Sequence, residues 1–221
     1  MNRRSLLIVA FALVLVAPSA SAQADAWQKK WYWGAEGGIF TYTDPVSGDG
    51  EMAITAGGHW MITGKKTALF ISVDQILFGD SSQAVIADPS AAATGGLRLV
   101  DFTSGRRIQA SIFAIPMDKK LQLMIGGGFS INQINGAVAQ GPFATLQEAI
   151  NANNTVAELD TKAFMVAAVG AQYRFGRWAA FAHFNYMPAA QDFLVPGDAM
   201  ALTAGIRYAL TSAHEEISTD R

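Results

Sequence analysis

The stretch AFMVAAVGAQYRFGRWAAFAHFNYMP, which runs from Ala163 to Pro188, is mostly apolar but contains an arginine, a histidine and two amide side chains. Side chains on a β-strand alternate between two faces with a period of two. Gln172 and Arg174 share one parity before the central turn, and His183 and Asn185 share one parity after it. The opposite parity is wholly apolar or aromatic. The stretch therefore predicts a β-hairpin with one sparsely polar face and one apolar face.

The same alternation recurs along the chain and predicts eight strands of about ten residues, the length that crosses a bilayer at a tilt. Besides the hairpin, the strand segments are Trp31–Tyr42, Glu51–Ile62, Thr67–Leu77, Arg106–Ile115, Leu121–Asn132 and Met200–Leu210. Short turns at 63–66, 116–120 and 175–177 alternate with long loops at 44–50, 78–105, 135–162 and 187–198. Short turns at one end and long loops at the other are typical of an outer-membrane barrel.

A soluble β-sandwich or a lipocalin-like cup would show the same period, with its apolar face inside and its polar face in water. Here the polar parity is sparse and rich in glycine and alanine, whereas a water-facing surface normally carries many charges. The apolar parity is nearly free of charge, as contact with lipid requires. The pattern favours an all-β fold, an eight-stranded antiparallel up-and-down transmembrane barrel.

The N-terminus predicts export. Arg3 and Arg4 precede the apolar run Leu6–Val16, and Ala20-Ser21-Ala22 follows it, which is the pattern of a secretory signal peptide. A membrane anchor is the alternative, but the run is shorter than a transmembrane helix needs. The expected organisation is a signal peptide at 1–22, a periplasmic segment at 23–30, the barrel at 31–210 and a periplasmic tail at 211–221. We expect the outer membrane of a Gram-negative type of cell as the location, with cleavage near Ala22.

Composition excludes several classes of function. The 221 residues have a net charge of −2, so there is no basic field for nucleic acid, and the absence of cysteine excludes thiol and cysteine-zinc chemistry. No cofactor or metal site is expected. Lysines lie mostly in the short turns and carboxylates mostly in the long loops, where 145–150 predicts a short helix.

Six aromatic residues of the apolar parity lie near the short-turn ends of their strands. This position suits an interfacial girdle, because Trp and Tyr rings favour the headgroup layer. Core packing, the alternative, would not favour one end of each strand. The predicted girdle consists of Trp31, Trp33, Trp60, Tyr173, Trp178 and Tyr208.

The polar parity predicts a network inside the barrel, since an eight-stranded barrel is only wide enough for side chains to fill it. Because the first and last strands close the barrel, Glu36 is expected to meet Arg207. We interpret the network as a structural plug, and a proton or ion path is the alternative. Its predicted members are Glu36, His59, Asp74, Arg107, Gln122, Gln172, Arg174, His183, Asn185 and Arg207.

The last strand carries the most specific local pattern. Thr203, Gly205, Tyr208 and Leu210 resemble the C-terminal signal that the barrel assembly machinery reads, although Leu210 stands where Phe is commoner. With the strand pattern over 31–210, the chain resembles the OmpA-like family of small outer-membrane barrels. The resemblance implies an eight-stranded barrel. We expect it to be a monomer in contact with outer-membrane lipids and lipopolysaccharide. The tail at 211–221 is too short for the peptidoglycan-binding domain of larger members.

The expected function is a structural or envelope-interaction role. A narrow pore or a conduit for small or hydrophobic molecules is the second hypothesis, and a lipid A-modifying enzyme is the third. Outer-membrane deacylases use a His-x-Ser-Asn signature, but His183-Phe184-Asn185 has Asn in the place of the nucleophilic Ser. No catalytic residue is therefore assigned.

Overall fold

A computed structural model of the chain describes residues 29–44, 46–79, 82–91, 94–117, 119–190 and 192–210. The predicted signal peptide, most of the predicted periplasmic segment and the C-terminal tail lie outside these residues. The elements are β1 (Trp31–Thr43), β2 (Gly50–Thr63), β3 (Thr67–Leu77), β4 (Gln83–Ala87), β5 (Leu97–Asp101), β6 (Ser104–Ala114), β7 (Leu121–Asn135), β8 (Val138–Ala139), α1 (Leu146–Leu159), β9 (Thr161–Phe175), β10 (Trp178–Ala190) and β11 (Gly197–Leu210).

Eight of the strands form one closed antiparallel barrel in the order β1-β11-β10-β9-β7-β6-β3-β2. The first and last strands close it, with Trp31 opposite Leu210 and Thr41 opposite Met200. Each of the remaining neighbouring pairs joins barrel strands that follow one another in the chain, if the short strands β4, β5 and β8 of the loops are left out. The topology is therefore up-and-down. The predicted fold class and the eight predicted barrel strands are confirmed.

The strand period of two produces the two faces. Along β6 the exposed and buried positions alternate without interruption from Gly105 to Ala114. On β3 Leu69, Ile71 and Val73 point outwards while Phe70, Ser72 and Asp74 are buried. A one-residue shift in register would exchange these faces, so the alternation fixes the register of each strand. No helix among the described ranges is long and apolar enough to span a membrane.

The two longest loops carry a second small sheet, which the sequence reading did not predict. Strands β4 and β5 form a hairpin within the loop 78–103, and β5 pairs with β8 of the loop 136–160. Buried side chains of the sheet, among them Ile86 and Val100, belong to one apolar cluster with Ala152 and Val156 of α1 and with barrel residues such as Tyr42. The apolar core of the barrel therefore continues into the loops on the long-loop side.

Helix α1 is longer than predicted and packs on a different face. Thr145 caps it, because its hydroxyl accepts from the Glu148 amide while the Glu148 carboxylate accepts from the Thr145 amide. From the sequence, Phe143, Leu146 and Ile150 would form one apolar side of the helix predicted at 145–150. The buried residues are instead Ala152 and Val156, and Leu146 is 79% exposed.

Candidate functional site

The outer surface of the barrel is an apolar belt. Its outward side chains include Ile54, Ile112, Ile125, Phe129 and Met165, all well exposed. On the barrel strands that the structure describes, charged outward side chains occur only at the long-loop end, at Arg106 and Asp198, where the strands leave this belt. A surface of this kind would aggregate in water and is suited to acyl chains.

The predicted girdle residues all point outwards at the short-turn end, and four of them form a continuous row across strands β10, β11, β1 and β2. Tyr208 lies opposite both Trp178 and Trp33, and Trp33 lies opposite Trp60. The ring centroids of Trp178 and Tyr208 are 4.9 Å apart, and those of Trp33 and Trp60 are 6.4 Å apart.

The other two predicted girdle residues flank this row. The ring centroids of Trp31 and Trp60 are 5.2 Å apart. Tyr173 on β9 lies opposite Ala180 of β10 and Leu121 of β7. On β3 and β6 the residues in register with Trp60 are the aliphatic Ile71 and Ala110. The aromatic row therefore covers one side of the barrel rather than its whole circumference.

Asp74 and Arg107 form the central ion pair of the interior. Both side chains are 1% exposed, and they lie opposite each other on β3 and β6. Arg107 donates from Nε at 3.0 Å and from Nη2 at 2.7 Å to Oδ2 of Asp74. Two hydrogen bonds to one carboxylate strengthen the pair and fix both side chains on the inner face of the neighbouring strands β3 and β6.

The predicted contact between Glu36 and Arg207 is not formed. Glu36 lies opposite Gly205, two positions along β11 from Arg207, and its Oε2 lies 3.2 Å from Nδ1 of His59. Among the described residues Arg207 makes no ion pair with a carboxylate; it donates to the Met61 sulfur instead. Strand register is the reason, because it staggers the two charges along the seam.

Arg207 is fully buried and is held mainly by ring contacts. Its guanidinium carbon lies 3.8 Å from the centre of the Phe181 ring, and its Nη2 lies 3.4 Å from Nε2 of His183. The stacking is favourable because the π face of an aromatic ring attracts a cation. With Glu36, Asp74 and Arg107, the central interior holds two carboxylates and two guanidiniums and has no formal excess of charge.

The remaining predicted network members also point inwards. Gln172 donates to Gln122 at 2.5 Å. Arg174, nearest the short turns, donates to the backbone oxygen of Lys119 at 3.3 Å. Asn185 accepts from Gln109 at 3.1 Å. The interior is therefore a chain of local contacts rather than one network of charges.

Bulky apolar side chains of the same parity occupy the space between the polar groups, and the sequence reading did not assign them to the lumen. The ring of Phe70 lies 5.1 Å from that of His183 and 5.3 Å from that of His59, and Phe113 lies 5.0 Å from His183. Their strand parity carried this information, because Phe70 and Phe113 alternate with lipid-facing residues. Both histidines are packed among rings.

Glycine makes room for these side chains. A Cβ at Gly34 would collide with the His59 ring and the Ile206 carbonyl, and a Cβ at Gly57 would collide with Asp74. Glycines on the strands of a small barrel also permit kinks and tight curvature. At these two positions the structure adds a second reason, which is space for a large inward residue on the neighbouring strand.

Solved structures with a similar fold exist. Neisserial surface protein A (NspA) matches with a TM-score of 0.54 and 11% identity, covering 80% of this chain and 96% of that one. The N-terminal barrel domain of Pseudomonas aeruginosa OprF matches with a TM-score of 0.48 and 12% identity, covering 83% and 98%. No protein-family model matches the chain, and no curated protein matches it in sequence. At 11% identity the likeness to NspA shows the fold alone.

The chain folds as an outer-membrane barrel. The closed eight-stranded topology, the uncharged apolar belt and the aromatic row agree on this point. Thr203, Gly205, Tyr208 and Leu210, which resemble an assembly signal, lie on β11, the strand that closes this outer-membrane barrel. Thr203 is buried in the interior, whereas Tyr208 and Leu210 face outwards.

A cleft of about 550 Å³ opens among the loops of the outer-membrane barrel. Val85, Leu97 and Leu99 of the loop sheet line it together with Phe143 and Ala144, which precede α1. Sequence reasoning missed this cleft, because it depends on pairing between segments about forty residues apart, such as Val100 with Ala139.

An ion pair holds the cleft together. Arg98 binds Asp88 across the β4–β5 hairpin, donates to the carbonyl of Gln140 at 2.8 Å and stacks on Phe143 at 4.2 Å. Hydrogen bonds from the Ser90 hydroxyl and, next, from Arg98 hold the pKa of Asp88 below its usual value. No cluster of three or more metal-ligating side chains occurs within the described ranges.

Proposed function

We propose that this outer-membrane barrel has a structural and envelope-interaction role, with a closed lumen below a folded loop surface on the outer side of the membrane. The observation that carries the proposal is the packing of the interior. Charged groups such as the pair Asp74–Arg107 and rings such as Phe70 and Phe181 alternate along it. An eight-stranded barrel has little free width once such side chains are present.

Single-channel recording in planar bilayers tests the closed lumen. We expect no discrete conductance steps from the mature protein. The same sample must show heat-modifiable mobility on gels, which proves that folded barrels were present when no current was seen. Clear, reproducible conductance steps from folded protein would overturn the closed lumen and favour the narrow pore.

One observation favours the second hypothesis, the narrow pore. Buried polar atoms inside the barrel, including Oγ1 of Thr55, Nδ1 of His183 and Nε of Arg207, have no hydrogen-bond partner among the described protein atoms. Buried polar groups normally bind a partner or an ordered water. Water at these atoms would hydrate the interior, and the conductance experiment decides whether such water forms a continuous path.

The proposal includes no enzymatic activity. His183 is buried in the barrel among Phe70, Phe113 and Phe181, away from the lipid surface where an acyl chain of lipid A would lie. A nucleophile beside a base, which acyl transfer requires, is not assigned in the chain. Incubation with lipopolysaccharide and mass spectrometry of lipid A test this point, and a loss or gain of an acyl chain would contradict it.

The proposed partners are outer-membrane lipids and lipopolysaccharide, with the barrel assembly machinery during biogenesis, and the proposed state is a monomer. The uncharged belt supports the lipid contact. Cross-linking in native outer membranes tests the monomer, since a specific dimer band would contradict it. Replacing Tyr208 and Leu210 with Ser tests the assembly signal: folded protein should decrease in cells, whereas refolding of purified protein into lipid should change less.

A further inference from the structure

We infer that the cleft among the loops is a binding site for an uncharged, mainly apolar small molecule. The site lies outside the lumen, on the loop sheet, and it does not depend on whether the lumen conducts. Its volume of about 550 Å³ falls within the usual range of ligand pockets. The class of ligand follows from which lining groups are free to bind and which are already engaged.

The apolar lining is held open by the loop sheet. Val85 and Leu99 lie opposite each other on β4 and β5, so their side chains share one face of the sheet. Leu97 has the same parity as Leu99, and the two are 53% and 41% exposed. Apolar side chains this exposed on a structured surface mark a binding surface when they border a concave site.

The charged groups of the cleft already have partners. The guanidinium of Arg98 contacts Asp88, the carbonyls of Gln140 and Pro142, and the Phe143 ring. The Asp88 carboxylate already compensates the charge of Arg98, so an anion would have to compete with it. An acidic ligand would therefore find a cation whose charge is already neutralised.

The carboxylates and hydroxyls are engaged in the same way. Glu148 accepts hydrogen bonds from the amides of Ala144 and Thr145 and so caps α1. Ser90 donates to Asp88, and Thr94 donates to the carbonyl of Ala91. A cationic ligand would have to compete with the α1 cap for Glu148, which accepts both amides through Oε2, whereas an apolar ligand would bury Val85, Leu97 and Leu99. The chemistry of the cleft thus selects a neutral apolar ligand.

Methyl NMR of the mature protein in lipid nanodiscs tests the site, with 1-naphthol as the neutral probe. We expect saturable shifts of the methyl signals of Val85, Leu97 and Leu99. The anion 1-naphthoate and the cation 1-naphthylmethylammonium have a similar size, and each should bind at least tenfold more weakly. The side chains of Ile108 and Ile112 are exposed on the outer face of the barrel. Their methyl signals therefore report how much probe partitions into the bilayer.

Two matched variants test whether the probe binds in the cleft. Leu99→Asn should weaken binding of 1-naphthol at least tenfold, because it puts an amide into the apolar lining. Val138→Asn is the control, since Val138 is also an exposed residue of the loop sheet, 53% exposed, but does not line the cleft. It should change the affinity less than twofold. The buried methyl groups of Ile86 and Val100 report whether each variant keeps the loop sheet folded.

The wild-type titration decides the inference even if Leu99→Asn disrupts the loop sheet. The inference is overturned if the cleft methyl groups show no saturable shift, if only lipid-facing methyl groups respond, or if charged and neutral probes bind equally. It is also overturned if both Asn variants, with the sheet intact, bind as the wild type does. Conductance steps would contradict the closed lumen but would leave these results unaffected.

Discussion

Arg107 donates two hydrogen bonds to a single oxygen of Asp74, at 3.0 and 2.7 Å, across strands β6 and β3 in the interior of the barrel. Oδ1 of Asp74 and Nη1 of Arg107 have no hydrogen-bond partner among the described protein atoms. The pair therefore depends on one shared oxygen, and removing either side chain leaves a buried charge without its partner.

Breaking this pair should destabilise the barrel strongly. Asp74→Ala or Arg107→Ala should each lower the free energy of unfolding by about 3–5 kcal/mol, because one buried charge is left uncompensated. The double variant should cost less than the sum of the two, since it leaves neither charge behind. Urea-induced unfolding in lipid vesicles measures the three values.

The exposed pair of Lys162 and Asp192, 3.9 Å apart, provides the control. Lys162→Ala should cost less than about 1 kcal/mol, because solvent screens an exposed pair. Equal costs at the two pairs, or full additivity at Asp74 and Arg107, would contradict the assigned coupling.

A positive charge on the lipid face should be costly near mid-strand and tolerated near the rim. Val169 points outwards near the middle of β9, so Val169→Arg should destabilise the barrel by about 2–4 kcal/mol. Met52 has the outward parity at the loop end of β2 and lies opposite the uncharged Thr41, so Met52→Arg should cost only about 0–1 kcal/mol. Unfolding in lipid vesicles gives both values, and similar costs at the two positions would argue against lipid contact at Val169.

The tryptophan side chains should report the headgroup depth at the short-turn end. Trp31, Trp33, Trp60 and Trp178 all lie there, and Trp27 lies outside the described residues, so the measurement uses a Trp27→Phe background. Lipids brominated near the headgroup should quench the fluorescence more than lipids brominated deep in the acyl chains, because Trp favours the interface. Stronger quenching by deep bromines would contradict the girdle.

The loop sheet should lose stability in acid through Asp88. Hydrogen bonds from Ser90 and Arg98 make the pKa of Asp88 lower in the folded loop than in the unfolded chain, so folding favours the carboxylate. This contribution is present in full above the ordinary pKa of 3.8 and is lost as the pH falls through the lower folded-state value. The methyl signals of Ile86 and Val100 should lose their dispersion in that acidic range.

Two variants isolate the role of Asp88 in this transition. Asp88→Asn should weaken the loop sheet at neutral pH and make its stability less dependent on pH, because the titrating carboxylate is gone. Asp192→Asn removes an exposed carboxylate in another loop and should leave the acid midpoint unchanged. An unchanged midpoint in both variants would show that other groups control the transition.

For the lumen, the sequence predicted which side chains point inwards but not which of them meet. Parity alone placed His183 and Arg207 inside the barrel, because a strand cannot turn one residue outwards without turning its neighbours inwards. Parity does not determine the register, which is the residue on one strand that lies opposite a given residue on the next. The predicted pairing of Glu36 with Arg207 was therefore wrong: the register of β1 and β11 brings Gly205 opposite Glu36.

By itself the sequence determined the number of barrel strands, their two faces, the ends at which turns and loops lie, and the aromatic residues at the short-turn end. Each of these follows from alternation within about ten neighbouring residues. Only the tertiary structure decided which buried charges meet and that β4, β5 and β8 form a sheet that lines a cleft. Those contacts join residues far apart in the chain, such as Arg98 and Gln140, and no local pattern encodes which distant backbone or side chain will be the partner.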